Sequence, residues 1–343
     1  MNYNTLLPNS PAPLGRGSLS STERQFSILN SQFSSKPLIL ALVGPTCTGK
    51  SNLAIELAKK HPIEIISSDS RLVYKEMDIG TSKPTREERK LISHHMIDII
   101  EPGKDYSVGL YKKEVENIID DIFSRKKIPL LVGGTGLYLN SILLGLSIPE
   151  IKADLSFRRQ LKECTQEELF NNLRELDPKA TEIIHKNDNY RTIRALEIIY
   201  KTNKLYSRLR IMREPPYNVV WIGLMYENKI SHLETIQKRT QQFCSNGFVD
   251  EVEYLLRKYG ELDLFKKTIG YSEVIDFLKD RTNKEKMIEN ISLNTKQLAK
   301  RQMTWFRANK KINWLKLGDY DFKDILLRME ELSFANTSIV SKS

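Results

Sequence analysis

A glycine-rich loop at residues 44–51 holds the residues whose types and spacing are most specific for chemistry. Its sequence, Gly-Pro-Thr-Cys-Thr-Gly-Lys-Ser, matches the phosphate-binding pattern G-x-x-x-x-G-K-[ST]. The apolar run Leu38–Val43 predicts a buried strand before the loop, and the apolar spacing from Leu53 predicts a helix after it. In such loops, N–H groups surround phosphate oxygens, while Lys50 can neutralise a distal phosphate and Ser51 can ligate Mg²⁺. The loop predicts polyphosphate binding without specifying the reaction.

Asp69 is the carboxylate best placed to act beside that loop. Residues 63–69 predict a second short strand, which ends in Ser68, Asp69 and Ser70. Because ligands of parallel sheets bind at the carboxyl ends of strands, Asp69 and the phosphate loop are expected to face one cleft. Asp69 would act there as a general base or hold a metal through water. A turn-forming role is the alternative.

A second glycine-rich turn follows the strand predicted at residues 128–132. This strand ends in two glycines and lacks the Asp with which nucleotide-hydrolysing proteins hold Mg²⁺. Thr135 places a hydroxyl group at the turn. His94 and His95 are adjacent, with no further His or Cys nearby, so a structural role is expected for them rather than metal binding.

Composition narrows the classes of protein. The 343 residues carry a net charge of +10, which favours a polyanionic partner. No apolar run approaches the roughly 20 residues that span a bilayer, so no membrane role is expected. The three cysteines are isolated, which argues against a disulfide framework or structural zinc and favours the reducing cytoplasm.

Strand and helix signals alternate after the N-terminal segment, which predicts an α/β fold with a parallel sheet flanked by helices. Residues 1–36 are rich in Ser, Asn and Pro and are expected to form a disordered extension. Residues 37–150 and 215–320 are expected to form the catalytic core, with one more strand at 219–225 and otherwise helices in its second part. Residues 151–214 lose the strand pattern and predict an Arg-rich helical insertion domain.

The helix predicted at residues 284–311 is strongly basic. It carries eight Lys and Arg against Glu285 and Glu289, with aromatic residues interleaved. A solvated face and contact with a phosphate backbone are both open accounts of it. The residues alone leave two classes: a phosphotransferase with a helical lid, or a transferase with a diphosphate-bearing donor and a nucleic acid acceptor. The missing strand-terminal Asp favours the second class.

Several separated segments resemble one family. They are Gly-Pro-Thr-x-x-Gly-Lys-Ser at 44–51, Ile-Ser-Ser-Asp-Ser at 66–70 with Leu-Val-Tyr at 72–74, 77–84, 94–98, 131–138, 187–191, 269–271 and Gln-Leu-Ala-Lys-Arg-Gln-Met-Thr-Trp at 297–305. Together, over about residues 37–316, they resemble the tRNA dimethylallyltransferases, or tRNA isopentenyltransferases, of the bacterial type. The resemblance implies a P-loop NTPase-like parallel sheet flanked by helices, with a helical insertion domain and a helical C-terminal region.

The resemblance also implies transfer of a dimethylallyl group from dimethylallyl diphosphate to N6 of adenine 37, beside the tRNA anticodon. It implies that Asp69 is the general base. It also implies that Thr46, Arg239 and a Mg²⁺ ion bound to Ser51 stabilise the leaving diphosphate. The residues implied to bind the diphosphate are Gly44, Pro45, Thr46, Cys47, Thr48, Gly49, Lys50 and Ser51. The residues implied to contact the anticodon stem-loop are Asp69, Ser70, Arg71, Leu72, Thr135, Arg158, Tyr190, Arg191, Thr192, Ile193, Arg194, Lys267, Thr268, Ile269, Gly270, Tyr271 and Ser272.

Two alternatives remain beside this reading. Within the same chemistry, an adenylate isopentenyltransferase uses free AMP, ADP or ATP as acceptor; outside it, a P-loop kinase phosphorylates a small metabolite. The basic segment 297–305 and the Arg-rich insertion favour tRNA. A monomeric cytoplasmic enzyme is expected.

Overall fold

The computed structural model describes residues 36–147, 149, 151–318 and 321–334. The disorder predicted for residues 1–36 therefore lies outside the described residues, except at Lys36. The Lys36 ammonium group pairs with Glu214 at 2.5 Å, and the Lys36 carbonyl accepts a hydrogen bond from Asn218. Lys36 thus belongs to the folded core, one residue earlier than predicted.

Six strands form one parallel sheet in the order β3-β2-β4-β1-β5-β6, which confirms the predicted α/β fold class. Strands β1, β2 and β4 are buried at every position, as expected for apolar strands covered by helices on both faces. The strands are β1 (Leu38–Val43), β2 (Ile63–Ser67), β3 (His94–His95), β4 (Ile128–Gly133), β5 (Asn218–Tyr226) and β6 (Ile312–Leu317).

Fifteen helices are found in the described part of the chain. None of them is both long enough and apolar enough to cross a membrane. The helices are α1 (Lys50–Lys60), α2 (Arg86–Leu91), α3 (Val108–Ser124), α4 (Gly136–Leu143), α5 (Leu155–Leu161), α6 (Gln166–Leu176), α7 (Pro178–Ile183), α8 (Asn189–Thr202), α9 (Tyr206–Leu209), α10 (Lys229–Ser245), α11 (Phe248–Tyr259), α12 (Asp263–Lys266), α13 (Tyr271–Leu278), α14 (Lys284–Arg307) and α15 (Phe322–Phe334).

Alternate residues of β1 pack on opposite faces of the sheet. Leu38, Leu40 and Leu42 pack against α1 and α15, whereas Ile39 and Ala41 pack against α3 and α4. The alternation follows from strand geometry, in which successive side chains point to opposite faces. Two covered faces fix the carboxyl end of β1, where the phosphate loop begins.

Two further apolar clusters lie away from the sheet. Helices α11, α13 and α14 pack around Phe248 and Tyr271. In residues 151–214, helices α6, α7 and α8 bury a separate cluster around Leu196. The region predicted as an insertion is therefore helical and holds an apolar core of its own.

The C-terminal region differs from the expected run of helices. The basic helix α14 ends at Arg307, and Ile312–Leu317 adds β6 to the edge of the sheet beside β5. This segment buries Ile312 and Leu315 and leaves Asn313 and Lys316 exposed, as expected for a strand at the edge of a sheet. The basic residues around it conceal this pattern in the sequence. Pairing of β6 with β5 anchors the end of α14 to the sheet.

Candidate active site

The phosphate loop connects the carboxyl end of β1 to α1, as predicted. Gly44 has a φ of +139°, and a Cβ there would lie 2.4 Å from the carbonyl oxygen of Leu224, so the turn requires glycine. The Lys50 ammonium group donates a hydrogen bond to the Pro45 carbonyl at 2.6 Å and lies 3.4 Å from Thr48 Oγ1. The lysine therefore folds back over the loop whose N–H groups would surround a diphosphate.

Positive charge is concentrated at this loop. Burial, followed by the neighbouring charge of Arg239, lowers the pKa of Lys50 to about 8. Cys47 and Asp69 act in the opposite direction with smaller effects. An oxyanion bound between the two cations would relieve their repulsion, so this part of the cleft is suited to a phosphate group.

Thr46 is held by three side chains from two distant helices. Arg239 donates to Thr46 Oγ1 at 3.1 Å, and Gln302 accepts a hydrogen bond from the Thr46 N–H at 2.8 Å. His232 Nε2 lies 2.9 Å from the Thr46 carbonyl. Burial lowers the pKa of His232, and because a carbonyl only accepts, the neutral ring must carry its proton on Nε2. Every polar group of Thr46 is therefore fixed.

Arg239 reaches the cleft from α10. Besides Thr46, its guanidinium group contacts Cys47 Sγ at 3.2 Å and donates to Ser82 Oγ at 2.7 Å. Its carbon Cζ also lies 5.0 Å from the ring centre of Phe243, within range of a cation–π contact. These contacts orient one arginine edge toward the phosphate loop, as its predicted role requires.

Asp69 follows the carboxyl end of β2 and belongs to a tight turn. Its Oδ1 accepts a hydrogen bond from the Arg71 N–H at 2.8 Å, so it does form a turn. The next residue is also fixed, because the Ser70 N–H donates to Thr135 Oγ1 at 3.1 Å. Asp69 Oδ2 accepts no hydrogen bond from any described residue. The turn and the general-base reading are therefore compatible: one oxygen holds the turn and the other is available.

Asp69, Thr46 and Arg239 line one cleft of about 450 Å³. The expected meeting of the phosphate loop and the second strand at one edge of the sheet is therefore found. The wall near Asp69 includes Ser70, Arg71, Gly134 and Thr135. The cleft is also lined by residues from α10, α14 and the segment before α13, namely Ile236, Thr240, Phe243, Lys267, Thr268, Ile269, Gly270, Ile291, Thr295, Leu298, Arg301 and Gln302.

The residues at the loop fit a metal held partly by substrate. No group of three His, Cys, Asp or Glu side chains within the described ranges is arranged to hold a metal ion by itself. Ser51 is exposed at the start of α1 and makes no side-chain hydrogen bond to another described residue. Its free hydroxyl beside a phosphate loop suits Mg²⁺, which commonly takes substrate oxygens and water as its other ligands.

A second groove, of about 490 Å³, adjoins the cleft. It runs between α5 and α8 of the insertion and the region of α12, and Lys267 lines both cavities. Among the residues implied to contact RNA, it also contains Arg158, Tyr190 and Ile193. Tyr190 is 71% exposed and carries Arg158 near its ring, 5.9 Å from the ring centre. The groove therefore offers basic and aromatic groups to a polyanion.

Comparisons with known proteins agree with this geometry. The family model for IPP transferases matches residues 72–309, and the model for isopentenyl transferases matches residues 37–99. A tRNA dimethylallyltransferase from Cyanothece is 42% identical over 83% of this chain and 94% of its own length. One from Caldanaerobacter subterraneus is 40% identical over 82% of this chain and 92% of its own length. The chain belongs to the tRNA dimethylallyltransferase family.

Solved structures of similar proteins share the fold. The tRNA isopentenylpyrophosphate transferase of Bacillus halodurans is 34% identical and superposes with a TM-score of 0.67 over 88% of this chain and 97% of its own. A eukaryotic dimethylallyltransferase, described as acting on tRNA, is 27% identical, with a TM-score of 0.72 over 89% of this chain and 81% of its own. The resemblance to the tRNA dimethylallyltransferase family and the P-loop NTPase-like fold are thereby confirmed.

The structure buries several residues for which RNA contacts are implied. Thr192 and Tyr271 are fully buried, and Ile193 and Thr268 are nearly so, at 6% and 5% exposed. The side chains of Thr192 and Tyr271 pack inside the protein, and contact of these residues with RNA stays a prediction. Tyr271, for example, donates its hydroxyl hydrogen to Glu251 inside the C-terminal helices.

Two of the implied arginines also have internal partners. Arg158 and Arg194 both pair with Glu197, a fully buried carboxylate, at 2.8 and 2.5 Å. Arg194 further donates to the Ile151 carbonyl. Arg194 therefore stabilises the insertion from within. Arg158 pairs with Glu197 and also lines the groove. Arg191 has an exposed side chain beside Asp188. The family resemblance implies the same role, contact with RNA, for all three arginines.

Gln302, His232 and Ser82 contact the phosphate loop or Arg239 but were not predicted as site residues. Gln302 belongs to segment 297–305, whose resemblance to the family is the signal by which it could be found. His232 and Ser82 carry no local signal. The expected structural role of the histidine pair is confirmed, because His95 pairs with the buried Glu64 at 2.7 Å and His94 Nδ1 lies 2.7 Å from the Ile92 carbonyl.

Proposed function

We propose that this chain transfers the dimethylallyl group of dimethylallyl diphosphate to N6 of adenine 37, beside the anticodon of tRNA. The bond from N6 to the donor's C1 forms while the C1–O bond breaks. The N6 proton passes to the Asp69 carboxylate, and diphosphate leaves with the electron pair of the broken bond. Membership in the tRNA dimethylallyltransferase family supports this reaction.

One observation carries the assignment of roles. Asp69, with an unpaired Oδ2, lines the same cleft as Thr46 and Arg239. The adenine amine is a weak nucleophile because its lone pair is delocalised, so it benefits from a proton acceptor. The leaving diphosphate gains charge, which Arg239, Lys50 and the loop N–H groups would stabilise. One cleft would thus hold both the proton acceptor for the amine and the groups that stabilise the leaving diphosphate.

We assign a Mg²⁺ ion to the phosphate loop, held by Ser51 and by oxygens of the diphosphate. When bound, the ion would neutralise charge on the leaving group. The exposed, unpaired Ser51 hydroxyl supports this assignment. The protein's own residues would bind and orient the diphosphate, with Thr46 directing its hydroxyl into the cleft and Arg239 fixed by Ser82.

The acceptor base must leave its stack to reach Asp69, at a cost of a few kcal/mol. Contacts along the rim of the cleft, at Arg71 and Lys267, and in the second groove would offset that cost. We propose residues 151–214 as an RNA-contacting insertion domain and residues 37–150 with 215–320 as the catalytic core. The separate apolar cluster of the insertion supports this division.

We further infer a monomeric enzyme that acts in the cytoplasm. A tRNA substrate and three cysteines that are all unpaired fit that compartment.

Acceptor competition tests the proposal. The purified protein is incubated with Mg²⁺ and labelled dimethylallyl diphosphate, together with tRNA, with the same tRNA carrying guanine at position 37, or with AMP. Label is expected in the first acceptor alone. Label in AMP alone would identify an adenylate isopentenyltransferase instead. ATP consumption without any transfer of label would support the kinase reading.

A further inference from the structure

The side chain of Gln302 bridges the two glycine-rich loops of the cleft. Its Oε1 accepts a hydrogen bond from the Thr46 N–H at 2.8 Å, and its Nε2 donates to the Gly134 carbonyl at 3.2 Å. The bridge depends on a close approach, because a Cβ at position 134 would lie 2.1 Å from Nε2. The absence of a side chain at Gly134 therefore leaves the space that the amide group of Gln302 occupies.

The neutral amide of Gln302 satisfies both loops at once because it carries an acceptor and a donor. A carboxylate accepts but cannot donate when ionised, and an apolar side chain does neither. The carbonyl and hydroxyl groups of Thr46 are already held by His232 and Arg239 from α10, so Gln302 supplies the remaining hydrogen bond from α14. Loss of it would leave a partly buried N–H group without a partner.

The helix that carries Gln302 also contacts the cleft at other positions. It belongs to α14, and Arg301 from the same helix lines the cleft. Trp305, one turn further on, packs so closely on the α4 turn that a Cβ at Gly136 would lie 2.1 Å from its Nε1. Helix α14 is thus joined to both glycine-rich turns of the cleft.

We propose that Gln302 is a positioning residue for the donor diphosphate, a role that rests on the proposed function. It sets the orientation of Thr46, and through Thr46 the geometry of the diphosphate cradle. It does not itself contact RNA or take part in proton transfer. The inference therefore assigns to Gln302 an effect on the donor and none on the acceptor.

Two variants and a control test this role. Gln302→Met keeps the approximate volume and removes both hydrogen bonds, while Gln302→Glu keeps an acceptor, loses the donor and adds a negative charge. Gln241→Glu adds the same charge on α10, at an exposed position that lines neither cavity. Steady-state kinetics are measured with each substrate varied in turn, together with tRNA affinity and the thermal midpoint of unfolding.

For Gln302→Met we expect kcat/KM for dimethylallyl diphosphate to fall about tenfold, because the Thr46 N–H that helps to set the donor cradle loses its partner. For Gln302→Glu we expect a larger loss, of about a hundredfold, because the carboxylate also repels the diphosphate. The dissociation constant for tRNA should stay within about twofold of wild type in both variants, and Gln241→Glu should match wild type with both substrates.

Two outcomes would overturn the role of Gln302. A lowered unfolding midpoint with unchanged donor kinetics would make it a purely structural residue. Weaker tRNA binding with unchanged donor kinetics would make it an RNA contact. Absence of transfer by the wild-type protein would instead refute the proposed function, so the two failures are distinguishable.

Discussion

At the scale of single residues, the two oxygens of Asp69 have separate tasks. Oδ1 holds the turn through the Arg71 N–H, and Oδ2 is left for the substrate proton. Asp69→Asn keeps a carbonyl oxygen for the turn and removes the base. We expect kcat to fall by about 10²- to 10⁴-fold, the usual contribution of general-base catalysis, with nearly unchanged tRNA affinity. Single-turnover transfer and filter binding measure the two quantities.

Asp105→Asn provides the matched control, since Asp105 is exposed and lines neither cavity. It should transfer the dimethylallyl group at the wild-type rate. Near-normal turnover by Asp69→Asn would remove Asp69 from the role of base.

Lys50 predicts how donor binding depends on pH. Its pKa in the free protein is lowered to about 8, first by burial and then by Arg239, and only the protonated amine attracts a diphosphate. Below pH 8 the cation is present, and as pH rises above 8 it is lost. We therefore expect KM for dimethylallyl diphosphate to rise by up to about tenfold per pH unit above pH 8.

Lys50→Gln should raise this KM at neutral pH and remove the rise above pH 8. KM measured from pH 6.5 to about pH 9.5 at saturating tRNA gives the comparison. An equal rise in the variant would show that another group is responsible.

At the scale of elements, the buried Glu197 of α8 joins α5 to α8 through Arg158 and also pairs with Arg194 of its own helix. Burial raises the pKa of Glu197, but hydrogen bonds from Arg158, the Asp154 N–H and Arg194 outweigh it and lower the pKa to about 2. The pair therefore stabilises the insertion above the usual glutamate pKa of 4.5, and this contribution is lost as pH falls from there toward 2.

Glu197→Gln leaves two partly buried arginines without their counter-charge, so we expect a loss of about 3–5 kcal/mol of stability. Hydrogen exchange should increase across residues 151–214 and change little in β1 and β4, which belong to the core. Glu167→Gln, an exposed position in α6, is the control. Uniform destabilisation of the sheet would contradict a separate core for the insertion.

At the scale of the whole molecule, positive charge extends from the cleft into the second groove, and Lys267 lines both. Binding of tRNA should weaken steeply with salt as counterions are released. Lys267→Gln should reduce the slope of log K against log salt concentration by about one. Lys266→Gln, on the neighbouring residue that lines neither cavity, should leave the slope unchanged. A slope that is flat in the wild type would argue against phosphate contacts in this region.

Sequence patterns foretold the features that are local in the chain. The phosphate loop, the buried strands and the position of Asp69 at a strand end each follow from a few consecutive residues. The hydrogen-bond partners of Thr46 cannot be predicted in this way. His232 and Gln302 lie 186 and 256 residues away in the chain and reach Thr46 only because α10 and α14 pack beside the loop. A family motif also identifies positions without showing where a side chain points, so it does not reveal that Thr192 and Tyr271 are buried.

Nucleoside analysis of tRNA tests the central claim most directly: that this cleft prenylates the amine of an extruded adenine. Cells lacking the gene, cells with the wild-type gene returned and cells with Asp69→Asn returned are compared by mass spectrometry. We predict that N6-dimethylallyladenosine, or a product made from it, disappears from position 37 on deletion and reappears with the wild-type gene alone. Persistence of the modified nucleoside in the deletion strain, or its full return with Asp69→Asn, would contradict the account.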